Sequence, residues 1–199
     1  MQTRGEETQT MIKKAAIQAF CLSGYDATSV AEICSQAGVS KGAFYHHFHS
    51  KQALFLAIMD DWLADIETML FKGLDDGNTV PEQIRNMGNT IGVVFLAAKG
   101  QLPMYLEFLV QASREESVWR AVIAPYRTFQ HRFSEMIEKG KNEGTIASHA
   151  DAEAVAQALT SLAVGIMLQG VVDPKAADWK KVTNTGVAMI LDGITRGAS

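Results

Sequence analysis

The sequence predicts an all-α protein of about nine helices, a small three-helix unit followed by a larger helical one. Three observations predict it. Apolar residues recur along the chain at three- and four-residue spacing, and nothing convincing alternates as a strand does. Helix start and stop signals divide these stretches at regular intervals. Residues 28–51, TSVAEICSQAGVSKGAFYHHFHSK, parse as two short helices around a tight turn.

Taken in order, residues 1–7 are polar and form no part of the core. A first helix is predicted from about Thr8 to Ser23, with Ile12, Ala16, Ala19 and Phe20 on one face and Gly24 ending it. The second carries Val30, Ile33, Cys34 and Ala37 as a single stripe. Ser29 with Glu32 has capping-box spacing, and Gly38 supplies the left-handed stop. Ser40 caps a third helix, Lys41–Phe48, in which Phe44 and Phe48 face inward with Val39. Its remaining surface carries Lys41, Gly42, Ala43, Tyr45, His46 and His47, with Lys51 just beyond. That mixture is odd for a plain packing helix, although by spacing alone a helix-turn-helix hairpin that simply packs fits equally well. Small residues allow close approach to base edges, and donors around them can reach phosphate oxygens.

Ser50 caps a fourth helix to about Phe71, long enough at roughly 30 Å to act as a lever. Asp75-Asp76-Gly77-Asn78 breaks the chain. Thr79, Pro81 and Glu82 open a fifth helix to about Ala98, and Gly100 interrupts. Pro103 opens a sixth, and 113–117 is a polar joint. A seventh helix runs to about Asn142 with Pro125, a candidate kink, inside it. The last two are predicted at about 150–170 and 177–196. Small residues on both suggest a bundle seam between subunits, with Leu159, Leu162, Ile166, Met189, Ile190 and Gly193 as candidates.

The larger unit is rich in aromatic and pliable side chains. Most serve as core, and some are expected to line an apolar effector pocket between helices. The candidates are Phe95, Met104, Tyr105, Phe108, Trp119, Tyr126, Phe129 and Met167, with Gln111, Arg114, Arg127, His131 and Gln169 as polar partners.

Composition bounds the function. Hydrophobic residues make up 47% of 199, enough for a sizeable core, with no uninterrupted apolar run near membrane-span length and no signal-peptide pattern. A cytoplasmic protein with no membrane partner is the expectation. The net charge of −4 argues against an indiscriminate polyanion binder. Residues 1–51 hold five basic and four acidic side chains, net +1, and the remainder carries −5. A local donor set on an acidic body implies a modest DNA footprint. Cys21 and Cys34 are expected to stay reduced, a disulfide switch being the alternative. His46, His47 and His49 lack a nearby carboxylate or cysteine at ligand spacing, so neither metal nor cofactor is expected. Catalytic signatures such as G-x-S-x-G, H-E-x-x-H and a phosphate-binding glycine loop are missing. Non-enzymatic alternatives are a helical interaction module or a ligand carrier.

Ile12–Ala16, Phe20, Gly24-Tyr25, Thr28-Ser29, Ile33, residues 37–42 (AGVSKG), Phe44-Tyr45, His47-Phe48 and Lys51 together resemble the DNA-binding domain of TetR-family transcriptional regulators. The resemblance implies a helix-turn-helix domain over 1–50 and an effector-binding and dimerisation domain over 51–199. It implies a homodimer joined through the last two helices and bound to a double-stranded, pseudo-palindromic operator. A small-molecule effector would release it. By matched position, Lys41, Gly42 and Ala43 approach base edges, and Tyr45 and His46 meet sugar–phosphate or a thymine methyl. Ser29, Ser40, His47 and Lys51 hold phosphates.

Overall fold

The computed structural model describes residues 4–72, 77–98 and 101–195. Asp75, Asp76 and Gly100, and the side chain of Phe95, lie outside the described residues. Among the described residues there are nine helices and no strand: α1 (Arg4–Ser23), α2 (Val30–Ala37), α3 (Lys41–His47), α4 (Lys51–Phe71), α5 (Val80–Ala98), α6 (Leu102–Ala112), α7 (Glu116–Asn142), α8 (Ala152–Val172) and α9 (Trp179–Thr195). Each expected helix is present, and α7 runs through Pro125 as one element.

Packing groups the chain into two units, each assembled from two segments: Met1–Ala64 with Gly100–Ile123, and Asp65–Lys99 with Ala124–Ser199. The unit holding the first three helices therefore also takes in α4 as far as Ala64, all of α6 and the start of α7.

In this first unit, Ile12, Ala16, Ala19 and Phe20 on α1 are sealed from solvent, as their spacing predicts. Gly24 ends α1 at φ +82°, and its N–H bonds to Phe20 O at 2.9 Å. Tyr25 then turns inward against Phe20, Phe55 and Phe108, with ring centroids 5.0–5.3 Å away. Phe55 stacks on Phe108 at 3.9 Å and Trp62 on Tyr105 at 4.5 Å. Such ring pairs add roughly 0.5–1.5 kcal/mol each beyond area burial. Met104, Tyr105 and Phe108, expected as pocket candidates, are thus core residues: each is 2% exposed, and the rings of α6 pack on Phe55 and Trp62 of α4 and on Tyr25 of the α1–α2 loop.

In the second unit, α9 packs on both α5 and α8. Close approach is made possible by glycine. A Cβ on Gly186 would lie 2.8 Å from Leu162 Cδ2, and one on Gly140 would lie 2.7 Å from Ile146 Cδ1 and 3.1 Å from Val80 Cβ. Ala147 N–H bonds to Ile194 O at 2.8 Å, and Asn184 donates to Asn89 Oδ1 at 3.0 Å. Arg132 pairs with Glu67 and lies 4.0 Å over the Phe71 ring, beside Phe129 and Phe133.

Candidate nucleic-acid interface

The α2–turn–α3 segment is closed locally at every end. Ser29 caps α2, its hydroxyl accepting from Glu32 N at 3.1 Å. Gly38, at φ +66°, carries the chain out of α2, and Val39 N–H returns to Cys34 O at 3.0 Å. Ser40 then caps α3, accepting from Ala43 N at 3.1 Å. Both serines act as acceptors here, which leaves their O–H protons free to be donated outward. Phe48 stops α3 by going extended at φ −137°.

Phe44 and Phe48 are buried and stand 6.0 Å apart, with Ile33 and Cys34 buried on α2. They fix which side of α3 faces out. Lys41, Gly42, Tyr45 and His46 are exposed, and Ala43 and His47 are half-buried. A Cβ on Gly42 would meet only Ser40 Oγ, at 3.7 Å, so the helix presents a recess beside the Lys41 side chain. Tyr45 is 53% exposed, an aromatic left in water by its own fold. This surface combines a cation, a gap, a phenol and imidazole donors on one short helix, which suits the major groove and its phosphate rims.

Lys51 has a different task from the phosphate contact expected of it. Its ammonium donates to Tyr25 O at 2.6 Å, Thr28 O at 2.8 Å and Asp26 O at 3.3 Å, and sits 4.3 Å over the Tyr25 ring. Burial pulls its pKa below the usual lysine range, while the Asp26 and Glu107 carboxylates push it back up. All three N–H protons are occupied by the α1–α2 loop, so the side chain holds the head together.

Sequence reasoning missed Glu107. From α6 its carboxylate accepts from Tyr25 N at 3.2 Å and Asp26 N at 3.4 Å, and Gln111 donates to the Asp26 carboxylate. More than eighty residues separate these partners, and no local spacing could have flagged them. Gln111, expected at the pocket, makes its contact at the first unit's loop. His131, also expected at the pocket, is exposed and faces Glu135 along α7 at 3.4 Å. Trp119, Tyr126, Phe129 and Met167 are half-buried. Both thiols are free, Cys34 buried and Cys21 exposed.

Of the dimer candidates, Leu159 and Ile166 are buried within the chain's own fold, at 7% and 2% exposure, and are corrected to core. Leu162 and Ile190 are half-buried, and Met189 and Gly193 are exposed. The apolar surface left in water on α8 is instead Val164, Leu168 and Val172, joined by Val182 and Met189 on α9. Their four-residue spacing on α8 was the signal available.

A head of three helices, the last two short and the third turning its donors outward, built into an otherwise all-helical chain, defines a helix-turn-helix DNA-binding protein. Residues 12–58 match the model for bacterial regulatory proteins of the tetR family, and residues 97–192 match that for the C-terminal part of BetI-type transcriptional repressors. The chain belongs to the tetR family: it is a transcriptional regulator with a DNA-binding and a ligand-binding domain, not an enzyme. It is 26% identical over 167 residues to the HTH-type transcriptional regulator UidR of Escherichia coli (strain K12), covering 84% of this chain and 83% of that one. Among solved structures it resembles a transcriptional regulator from Pseudomonas aeruginosa PAO1, with TM-score 0.81, 21% identity, and 99% and 94% of the two chains covered. It also resembles FadR from Bacillus subtilis in complex with stearoyl-CoA, with TM-score 0.78, 16% identity, and 93% and 98% covered.

Proposed function

We propose that the protein is a repressor that holds a pseudo-palindromic operator as a homodimer and lets go when a small apolar or amphipathic effector binds. The observation that carries the DNA half is the outward face of α3, where buried Phe44 and Phe48 leave Lys41, Gly42, Tyr45 and His46 in water. Lys41 is the direct base reader, able to donate to guanine O6 and N7, with Gly42 and Ala43 allowing the approach. Tyr45 and His46 take sugar–phosphate or a thymine methyl. Ser29, Ser40 and His47 hold phosphates, along with the free amides that open α4. Residues 1–50 carry the reading surface, seated on the rest of the first packing unit, and effector binding and pairing are assigned to parts of 51–199.

Pairing through α8 and α9 is supported by their exposed apolar residues. Val172 is 77% exposed and Met189 70%, a costly arrangement in water unless a second copy covers it. Helix α8 is long and apolar enough to cross a membrane by length and composition, yet 28% of that stretch is buried in one chain. A helix seam with a partner copy accounts for that composition, and the site of action is then the cytoplasm. Two heads must be about 34–36 Å apart to meet successive major grooves. An effector releases the operator only by binding the mismatched spacing more tightly, since equal affinity shifts nothing. The repressor reading is supported by the BetI-type match, and the effector class by the stearoyl-CoA held in a protein of the same fold. Tyr126, Phe129 and Met167 in the second unit are the residues proposed to meet the effector.

The test is selection of duplexes from random-sequence DNA, followed by footprinting. The expected product is a two-fold-related site that Lys41→Ala binds with relaxed base preference and Tyr45→Ala binds weakly. No enriched duplex, or an enriched one indifferent to both substitutions, refutes the placement.

A further inference from the structure

The loop between α1 and α2 is held from two sides by different chemistry. Its carbonyls, Tyr25 O, Asp26 O and Thr28 O, receive the Lys51 ammonium from α4. Its amides, Tyr25 N and Asp26 N, point the other way into the Glu107 carboxylate on α6. One helical turn on, Gln111 adds a bond to the Asp26 side chain. Glu107 and Gln111 are four apart and share a face of α6.

Gly24 makes the seat for this carboxylate. A Cβ there would stand 3.1 and 3.2 Å from the two Glu107 oxygens, and φ +82° disfavours a side chain independently. Packing alone does not call for such a clamp, because α6 already buries Tyr105 and Phe108 against α4 and the Tyr25 ring. The loop leads directly to Ser29, the cap that starts α2, and α2 carries α3 through the Gly38 turn.

We infer that Glu107, assisted by Gln111, is a positioning residue for operator binding: α6 sets the seat of α2, and so the aim of α3, through the loop amides. The inference rests on the DNA-binding reading above. It gives side chains outside the helix-turn-helix a part in orienting that interface. A shift of α6 by a bond length or so removes the Glu107 acceptor from its two donors. The head then samples orientations of which only a fraction is competent, and apparent affinity falls by that fraction.

The experiment uses the full-length protein and a duplex selected by the wild type, with an unrelated duplex of equal length beside it. Affinities are measured by fluorescence anisotropy over a salt series, and amide exchange is followed at residues 24–28. For Glu107→Ala/Gln111→Ala the expected result is fast exchange at Tyr25 and Asp26 and about tenfold weaker binding of the selected duplex. The salt slope and the affinity for the unrelated duplex stay as in the wild type, because no phosphate contact is removed. Glu107→Gln, which keeps one acceptor oxygen, falls between. A merely structural role would instead lower the active fraction toward both duplexes equally. Should the double variant not fold, Glu107→Gln and Gln111→Ala singly carry the same comparison. Freed amides with selected-duplex affinity within twofold of wild type would overturn the inference, as would equal losses on both duplexes. A wild type that selects no duplex removes the DNA-binding reading itself, and the inference with it.

Discussion

Replacing Lys51 by alanine separates two jobs available to a lysine at the start of α4. The structure has its ammonium on Tyr25 O at 2.6 Å and Thr28 O at 2.8 Å, with Asp26 O farther away at 3.3 Å. Hydrogen bonds to a charged group contribute roughly 1.5–3 kcal/mol each. Counting only the two shorter bonds gives roughly 3–6 kcal/mol. Ordering the long stem offsets roughly 2 kcal/mol of that, and water reaching the vacated carbonyls lowers the loss further. The net expectation is about 2 kcal/mol, or a melting midpoint lower by about 4–8 °C for a chain of this size. Calorimetry reads the first quantity. Operator binding across a salt series reads the other job. A phosphate contact contributes about 0.9 to the log–log salt slope, so losing one from each half of a dimer flattens it by about 2. The loop-holding role predicts the melting shift with an unchanged slope. An unchanged midpoint with a flattened slope would refute the reasoning and return Lys51 to the phosphates.

Gly140→Ala should destabilise by about 1 kcal/mol: alanine's helix propensity recovers about 1 kcal/mol, but the overpacked Cβ meets Ile146 at 2.7 Å and Val80 Cβ at 3.1 Å. A lower urea midpoint checks it, and a higher one contradicts the close approach. The Tyr25 phenol is pushed up to about 12 by burial, with the Asp26 charge adding to it. Its neutral form is favoured on folding, so that contribution to stability is complete below pH 10 and is lost as pH rises through about 12. The tyrosinate absorbance of wild type minus Tyr25→Phe should then inflect near 12; an inflection at the unperturbed value contradicts the burial. Val172→Glu/Met189→Glu places charge on two of the most exposed apolar residues and should yield a monomer by sedimentation, with operator affinity falling alongside. A persisting dimer would move the seam elsewhere.

How much of this was legible in the sequence depended on distance along the chain. Ser29, Gly38, Ser40 and Ser50 act within four residues, so capping and turn rules located the ends of α2 and α3 and the start of α4. The burial of Phe44 and Phe48 and the exposure of Lys41, Gly42, Tyr45 and His46 followed from helical period alone. Lys51 was found but its carbonyl partners were not, since a lysine beside a helix start looks the same whether it meets phosphate or carbonyl. Met104, Tyr105 and Phe108 were read as pocket candidates because period reports that a face is apolar and not what covers it. Leu159 and Val164 stand on one helix, and only the direction of α9 decides which of them is inside. Glu107 depended on contacts across more than eighty positions, which single-sequence patterns do not carry.

The first packing unit is discontinuous, residues 1–64 being completed by 100–123. Its reading head is therefore not a detachable cassette. A fragment cut after the fourth helix begins would uncover the faces of Phe55 and Tyr25 that Phe108 covers, and would be prone to clump. Chimaeras that graft this head onto a foreign body should succeed only when the donor's sixth helix travels with it.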